Sequence, residues 1–340
     1  MRKVVVPRAG GYERLVIEES PTPSPGPGEV LVDVEAIGVN YADCVVRMGL
    51  YESAKTYVGW PITPGFEAAG RVAALGSGVS DLSVGEPVIV VTRFGGYSTH
   101  IVAPRGQVFR RPSTLSAAEA AGIPCVYLTA YFALFFLAHP RPGDTILIHS
   151  AAGGVGTAAV QLARDAGFKT VGVVGATHKV AACQADEVID KSTSELWEEA
   201  ERISPDGYPV ILDANGPSTL AQSYAHLAPP GKLVVYGFHS MMPRKGGKPK
   251  WLKLAMDYFK TPRFNPLDMT GSNRSVLAFN LSYLFDRSDI LQEVMAGVCE
   301  GFESGRLSPM ACTTYDFERV ADAHRDLESA QTVGKLVLLT

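Results

Sequence analysis

Apolar and polar residues alternate along this chain with two different periods, and the change of period divides it. From Lys3-Val-Val-Val6 to about residue 110, apolar positions recur at every second residue in short runs. In Val30-Leu-Val-Asp-Val-Glu-Ala36, Val30, Val32 and Val34 share one face, as in a half-buried strand. Gly/Pro clusters punctuate these runs at Pro21–Gly28, Leu75–Gly78 and Gly95-Gly96. Many short strands separated in this way predict a small barrel-like domain, and residues 1–110 read as all-β.

From about Ser116 the texture changes. An Ala-rich helical stretch leads into Val126–Leu137, and strand candidates then alternate with helical patterns: Thr145–His149, Thr170–Val174, Glu187–Ile189, Val210–Leu212 and Leu233–Tyr236. That alternation predicts a doubly wound parallel sheet, so the chain is of the α/β class. Ser240–Asn273 breaks the pattern. Trp251–Phe259 within it fits an amphipathic helix, and the segment is either an insertion over a site or a mobile loop. Val276–Leu281 is strand-like again, helices are expected near Ile290–Phe302 and Phe317–Ser329, and a last strand, Lys335–Leu339, is expected to return to the β domain.

Composition narrows the function classes. The 340 residues are 46% hydrophobic and 19% charged with a net charge of −4, so sizeable cores are possible and no global field favours nucleic acid. The basic run Arg244-Lys-Gly-Gly-Lys-Pro-Lys250 reads as a solvated loop, with a lipid or RNA contact as the alternative. No apolar run approaches the roughly 20 residues of a membrane span, and the N-terminus lacks a secretory apolar region; a cytoplasmic protein is expected. The five cysteines (Cys44, Cys125, Cys183, Cys299, Cys312) form no paired motif, suit a reducing compartment and read as isolated buried thiols.

The candidate chemistry begins at Ser150-Ala-Ala-Gly-Gly-Val-Gly156. A strand before this corner and an Ala-rich helix after it aim unpaired N–H groups and a helix dipole at one point, which suits a dinucleotide pyrophosphate. Ala152, Gly153, Gly154, Val155 and Gly156 are the candidate contacts. Gly153 would let the backbone approach phosphate, and Gly156 would let helix and strand pack closely. Ala151 occupies the usual first glycine position, which is acceptable at negative φ. The bland alternative is a Gly-rich turn. After the second strand comes Gly175, then Ala176-Thr177-His178-Lys179, with no acid to bond a ribose 2′-hydroxyl. Lys179 there is either the partner of a 2′-phosphate, favouring NADPH, or a solvent-exposed lysine.

Five strings make the chain resemble the zinc-independent quinone oxidoreductase branch of the medium-chain dehydrogenase/reductase superfamily. They are Gly38-Val-Asn-Tyr-Ala-Asp43 with Arg47-Met-Gly-Leu-Tyr51, Pro64-Gly-Phe-Glu-Ala-Ala-Gly70, Ser150–Gly156, and Val333-Gly-Lys-Leu-Val-Leu338. Several, with Asn280-Leu281, are similar to the synaptic vesicle VAT-1 type. The resemblance implies a GroES-like β-rich catalytic domain over 1–123 and 283–340, and a Rossmann NADPH-binding domain over 124–282. It also implies a homodimer paired through Rossmann edge strands, for which Ser275–Asn280 is the candidate.

Zinc-dependent relatives ligate the metal with Cys, His and Cys. Here Asn40 and Phe66 stand at the first two positions, and only Cys125 remains, so no metal is expected. By resemblance, Asn40 and Tyr41 lie beside the nicotinamide ribose. Thr129, Thr177, Asn215, Tyr236, Gly237, Phe238, Phe279, Asn280, Leu281 and Lys335 line the cofactor, ordinary packing being the alternative for the apolar ones. Lys191 stands where the family often has a Tyr near the adenosine ribose phosphate, as a second cation or a surface residue.

Without zinc, an acceptor already activated by conjugation is expected, a quinone or a similar carbonyl. Asn40 is the candidate donor to its oxygen, and Tyr41 and Tyr51 are candidate proton donors, with solvent as the alternative and pocket lining as a second role for Tyr51. Trp60 and Phe66 are candidate apolar walls or simply packed residues. The competing functions are double-bond reduction of enones or enals, and a VAT-1-like NADPH-binding interaction protein with weak reductase activity.

Overall fold

Each of the two sequence textures builds its own hydrophobic core. The computed structural model describes all residues from Met1 to Thr340 and divides into a unit of Met1–Leu128, Arg244–Lys248 and Leu281–Thr340, and a unit of Thr129–Pro243 and Pro249–Asn280.

The first unit carries a seven-stranded sheet. Its order is Cys312–Asp316, Lys335–Leu339, Glu29–Val39, Glu67–Leu75, Pro87–Val91 and Val108–Arg110, with His100–Pro104 also pairing with Glu29–Val39. Arg2–Val5 and Val16–Glu19 form a separate ladder. Val30, Val32 and Val34 all enter the core, as their alternation requires, against Val72, Val90 and Leu338. The last strand returns here as expected, antiparallel to Glu29–Val39 with Leu336 opposite Val39.

This unit is not all-β. Tyr41–Arg47 and Glu52–Tyr57 are helices. A capping box starts the first: Asn40 is extended (φ −117°), and its backbone N–H donates to Asp43 Oδ2 at 2.8 Å. Reciprocal caps satisfy orphan N–H groups and outweigh the weak alternation of the flanking residues.

The second unit is a six-stranded, all-parallel sheet in the order Glu187–Asp190, Lys169–Val174, Thr145–His149, Tyr208–Asp213, Leu227–Val235 and Arg274–Ala278. The order reverses between Thr145–His149 and Tyr208–Asp213. The carboxyl ends of those two strands therefore flank the switch point where open α/β sheets bind ligands.

Several expectations are corrected. Between Val174 and Glu187 there is only a short 3-10 turn, Thr177–Lys179, and no α-helix. Residues 126–137 lie in a helix, Pro124–Tyr131, that widens into π-type turns over Phe132–Ala138. In Ser240–Asn273 the expected helix is present, at Trp251–Lys260, and an unexpected second one, Pro266–Ser272, follows it. The basic loop is not simply solvated: Gly247 is buried, its carbonyl accepts from Arg47 Nη1 at 2.6 Å, and Lys248 pairs with Glu13 at 3.2 Å. Of the five free cysteines, Cys183, Cys299 and Cys312 are only partly buried. No helix is long and apolar enough to cross a membrane.

Candidate active site

In the parallel-sheet unit the chain leaves Thr145–His149 through Ser150, the left-handed residue of the corner at φ +56°. Ala151 escapes the positive-φ requirement that a first-position glycine would meet, and its N–H donates to Val173 O at 3.0 Å. Helix Gly154–Asp165 starts at once, with Gly153 as its extended cap. Its first intrahelical bond runs from Thr157 N–H to Gly153 O. The N–H groups of Gly154, Val155 and Gly156 thus head the helix without an intrahelical acceptor. A Cβ on Gly156 would stand 2.3 Å from Ser150 O, so only glycine admits this close approach. Ala152 is buried beneath the turn.

Asp213 ends the neighbouring strand and organises the loop after it. Its Oδ1 accepts from Asn215 N–H (2.7 Å) and Gly216 N–H (3.1 Å), and its Oδ2 accepts from Thr219 Oγ1 (2.7 Å) and Ser223 Oγ (3.0 Å). That loop carries Asn215, whose Oδ1 accepts from Ser150 Oγ at 3.1 Å and whose buried Nδ2 has no hydrogen-bond partner. His149 packs into the same network, its Nε2 3.0 Å from Ser223 Oγ. Burial, opposed by Asp213, depresses the imidazole to about 4, so it is neutral at pH 7.

At the end of Lys169–Val174, Gly175 is exposed and Lys191 lies beside it: a Cβ on residue 175 would stand 3.7 Å from Lys191 Cε. Lys191 thereby occupies the ground an acid would take in an NAD-type site. Thr177 and Lys179 are the ends of the turn Thr177–Lys179, and Thr177 donates to Asp190 at 2.7 Å. Tyr236, Gly237 and Phe238 follow the fifth strand, with Gly237 packed on Ala214 and Phe238 44% exposed. The ring of Phe279 lies 4.9 Å from that of Phe132 and 6.4 Å from that of Tyr236. Asn280 closes this unit and Thr129 opens its first segment.

In the other unit, Asn40 and Lys335 touch. Lys335 Nζ donates to Asn40 Oδ1 at 2.5 Å and pairs with Glu67 Oε1 at 2.6 Å, and Asn40 Nδ2 donates to the same Glu67 oxygen at 2.7 Å. Glu67 Oε2 accepts from Cys125 N–H at 2.6 Å. The amide orientation of Asn40 is thus fixed by charge: oxygen toward the ammonium, nitrogen toward the carboxylate. One N–H of Nδ2 is committed to Glu67 and the second is left for another acceptor. Gly38 makes the room, since a Cβ there would stand 2.3 Å from Glu67 Oε1.

Asp43 links three segments by accepting from Asn40 N–H, Gly65 N–H (3.0 Å) and Tyr97 Oη (3.0 Å). Burial pushes its carboxyl up to about 7 against these donors. Tyr97 also meets His324 Nε2 at 3.0 Å, and Arg47, on the other side of that ring, pairs with Glu328 in full burial. The ligand atoms of Cys44, His324 and Glu328 lie within 4.8 Å of one another, but the cation among them is the Arg47 guanidinium.

Tyr51 packs edge-on against Phe66 (5.8 Å) and Phe94 (6.3 Å), and Phe94 is buried at φ +75°, a strained conformation for a bulky residue. Trp60 is 38% exposed, and Leu281 begins a 3-10 turn, Leu281–Asp286. Burial raises the Tyr41 hydroxyl well above its usual range, so it holds its proton. Sequence reasoning missed Glu67, Asp43, Asp213 and Phe94. The Asn40-x-x-Asp43 cap spacing was a readable signal for one of them; His324 had none, because it arrives from the far end of the chain.

The profile described as alcohol dehydrogenase GroES-like domain matches residues 26–113, and that described as zinc-binding dehydrogenase matches residues 183–338. The human synaptic vesicle membrane protein VAT-1 homolog is 35% identical over all of this chain and 86% of its own length. The chain belongs to this medium-chain dehydrogenase/reductase family of quinone oxidoreductases and VAT-1 homologues. A quinone oxidoreductase of Lama guanicoe is 31% identical over all of this chain and 97% of its length. The solved quinone oxidoreductase of Escherichia coli, complexed with NADPH, superposes with a TM-score of 0.85 at 26% identity, covering both chains in full. CurK enoyl reductase superposes at 0.83 with 26% identity over 99% of each chain. The chain is thus an oxidoreductase-family member with a GroES-like β domain and a Rossmann-type sheet.

Proposed function

We propose that this chain is an NADPH-dependent reductase that transfers hydride to a quinone or similar conjugated carbonyl without zinc. The observation that carries the reading is the carboxyl end of the parallel sheet. Three helix-leading N–H groups, the buried Asn215 Nδ2 without a partner and the open Gly175 beside Lys191 together fit a phosphorylated dinucleotide. Gly154, Val155 and Gly156 would hold the pyrophosphate, and Lys179 and Lys191 the 2′-phosphate. Bound NADPH supplies the hydride.

The chain's own residues do the rest. The second N–H of Asn40 Nδ2 donates to the acceptor's oxygen as charge develops there, with Glu67 and Lys335 holding the amide. Tyr51, Phe66 and Phe94 give a flat substrate an aromatic wall. Tyr41, which burial keeps protonated, and Tyr51 are proton sources alongside solvent. Asn40 and Phe66 at the positions of two zinc ligands support chemistry without the metal. Double-bond reduction of enones is the second reading, favoured by the likeness to CurK enoyl reductase.

The test is nicotinamide fluorescence with NADPH and NADH for the wild type, Lys179→Ala and Lys191→Ala, followed by quinone and enone turnover. NADPH affinity is expected to fall roughly tenfold in each variant, with NADH affinity little changed. If neither nucleotide binds the wild type, the reading is wrong.

A further inference from the structure

The end of the second parallel strand lacks an acid of its own, but one reaches it from the neighbouring strand. Asp190 closes Glu187–Asp190, in register with Val174, the residue before Gly175. Its carboxylate is tightly held: Oδ1 accepts from Ser192 N–H (2.9 Å) and Ser192 Oγ (2.6 Å), and Oδ2 accepts from Thr177 Oγ1 (2.7 Å). These donors, Ser192 first, keep the carboxyl below its usual range. Its backbone carbonyl is fixed as well, accepting from Thr193 N–H and Ser194 N–H at 3.1 Å each.

The consequence lies in the Thr177 hydroxyl. A threonine hydroxyl has one proton to give, and here the proton goes to Asp190. What Thr177 then offers outward is acceptor capacity only. A ribose 2′-hydroxyl can donate to such an oxygen; a 2′-phosphate dianion has no proton to give it and meets the Asp190 charge behind it. Lys179 and Lys191 act in the opposite sense, drawing a phosphate in. One site therefore holds two opposed determinants.

We propose that Asp190, acting through Thr177, is a specificity determinant that holds down this site's preference for NADPH over NADH, so that the chain binds both. The inference rests on the dinucleotide reading above and adds an opposing residue to it.

The experiment titrates NADPH and NADH into the purified chain by nicotinamide fluorescence, for the wild type, Asp190→Ala, Asp190→Asn, Thr177→Val and the Asp190→Ala/Thr177→Val double variant. Releasing the Thr177 proton and removing the charge is expected to raise the NADPH-to-NADH affinity ratio roughly tenfold in Asp190→Ala. Asp190→Asn, which keeps an acceptor but loses the charge, should give a smaller rise. In the Thr177→Val background the Asp190 substitution should have little further effect. Binding of both nucleotides with a ratio unchanged in Asp190→Ala overturns the proposal while leaving the dinucleotide reading intact. A rise of the same size in the Thr177→Val background overturns the route through the hydroxyl. Failure of the wild type to bind either nucleotide overturns both readings.

Discussion

Lys335 Nζ lies 2.6 Å from Glu67 Oε1, with the two side chains 3% and 0% exposed. Two charges this deep repay their desolvation only through close geometry, and removing one strands the other. Lys335→Met is expected to cost about 3–5 kcal/mol of stability, and adding Glu67→Gln should restore part of it. Urea denaturation of both single variants and the double variant measures the coupling; strict additivity would show that the pair does not interact.

A methyl group at Gly156 would press into Ser150 O, which is the carbonyl that shapes the corner. Gly156→Ala should therefore displace the head of helix Gly154–Asp165 at a cost of about 1–3 kcal/mol and weaken dinucleotide binding. A Cβ at Gly153 meets the same oxygen only at 3.3 Å, so Gly153→Ala should be milder. Fluorescence titration at a temperature where both variants stay folded decides it, and equal losses would count against a role for the close approach.

How much of this was readable in advance differs between the units. The parallel strands, the corner and the missing acid at residue 175 stood in local strings, because strand period, glycine sterics and helix start all act over a few neighbours. Val30, Val32 and Val34 gave the core face of the β unit for the same reason. Of the Asn40–Glu67–Lys335 cluster, only Asn40 and Lys335 were legible, and only as residues named separately. Its members come from three distant segments, and nothing in periodicity says that Lys335 would turn toward Glu67. Asp190 was hidden differently: it lies one strand away from where an acid is looked for, and only the register with Val174 brings it to Thr177.

Acid should destabilise the fold through its buried histidines. Burial holds His149 at about 4 and His324 at about 3, whereas unfolded imidazoles protonate near 6.5. Between roughly pH 6.5 and 4 the unfolded state therefore binds more protons, and these two groups remove stability as pH falls. Asp43 works in the opposite direction. Pushed up to about 7, it takes its proton in the folded state first and adds stability as pH falls from 7 toward 4. Asp43→Asn removes that compensation, so its stability should fall more steeply than the wild type's between pH 7 and 4.5 in urea titrations. Parallel curves would mean that Asp43 titrates at the same pH folded and unfolded.

Arg274–Ala278 is the edge of the parallel sheet, and its unpaired side is a template for another strand. Exposed Trp251, Leu252, Phe259 and Leu267 in the same unit add apolar surface that single domains rarely leave bare. We infer that two copies pair through this edge. A two-fold interface sets the same residues against each other, so like charges placed on the edge repel themselves. Ser275 and Ala278 are exposed on that strand. The Ser275→Lys/Ala278→Lys variant should sediment as the 36.3 kDa chain, and the wild type at twice that mass. A wild type that sediments as a monomer at the same concentration overturns the pairing.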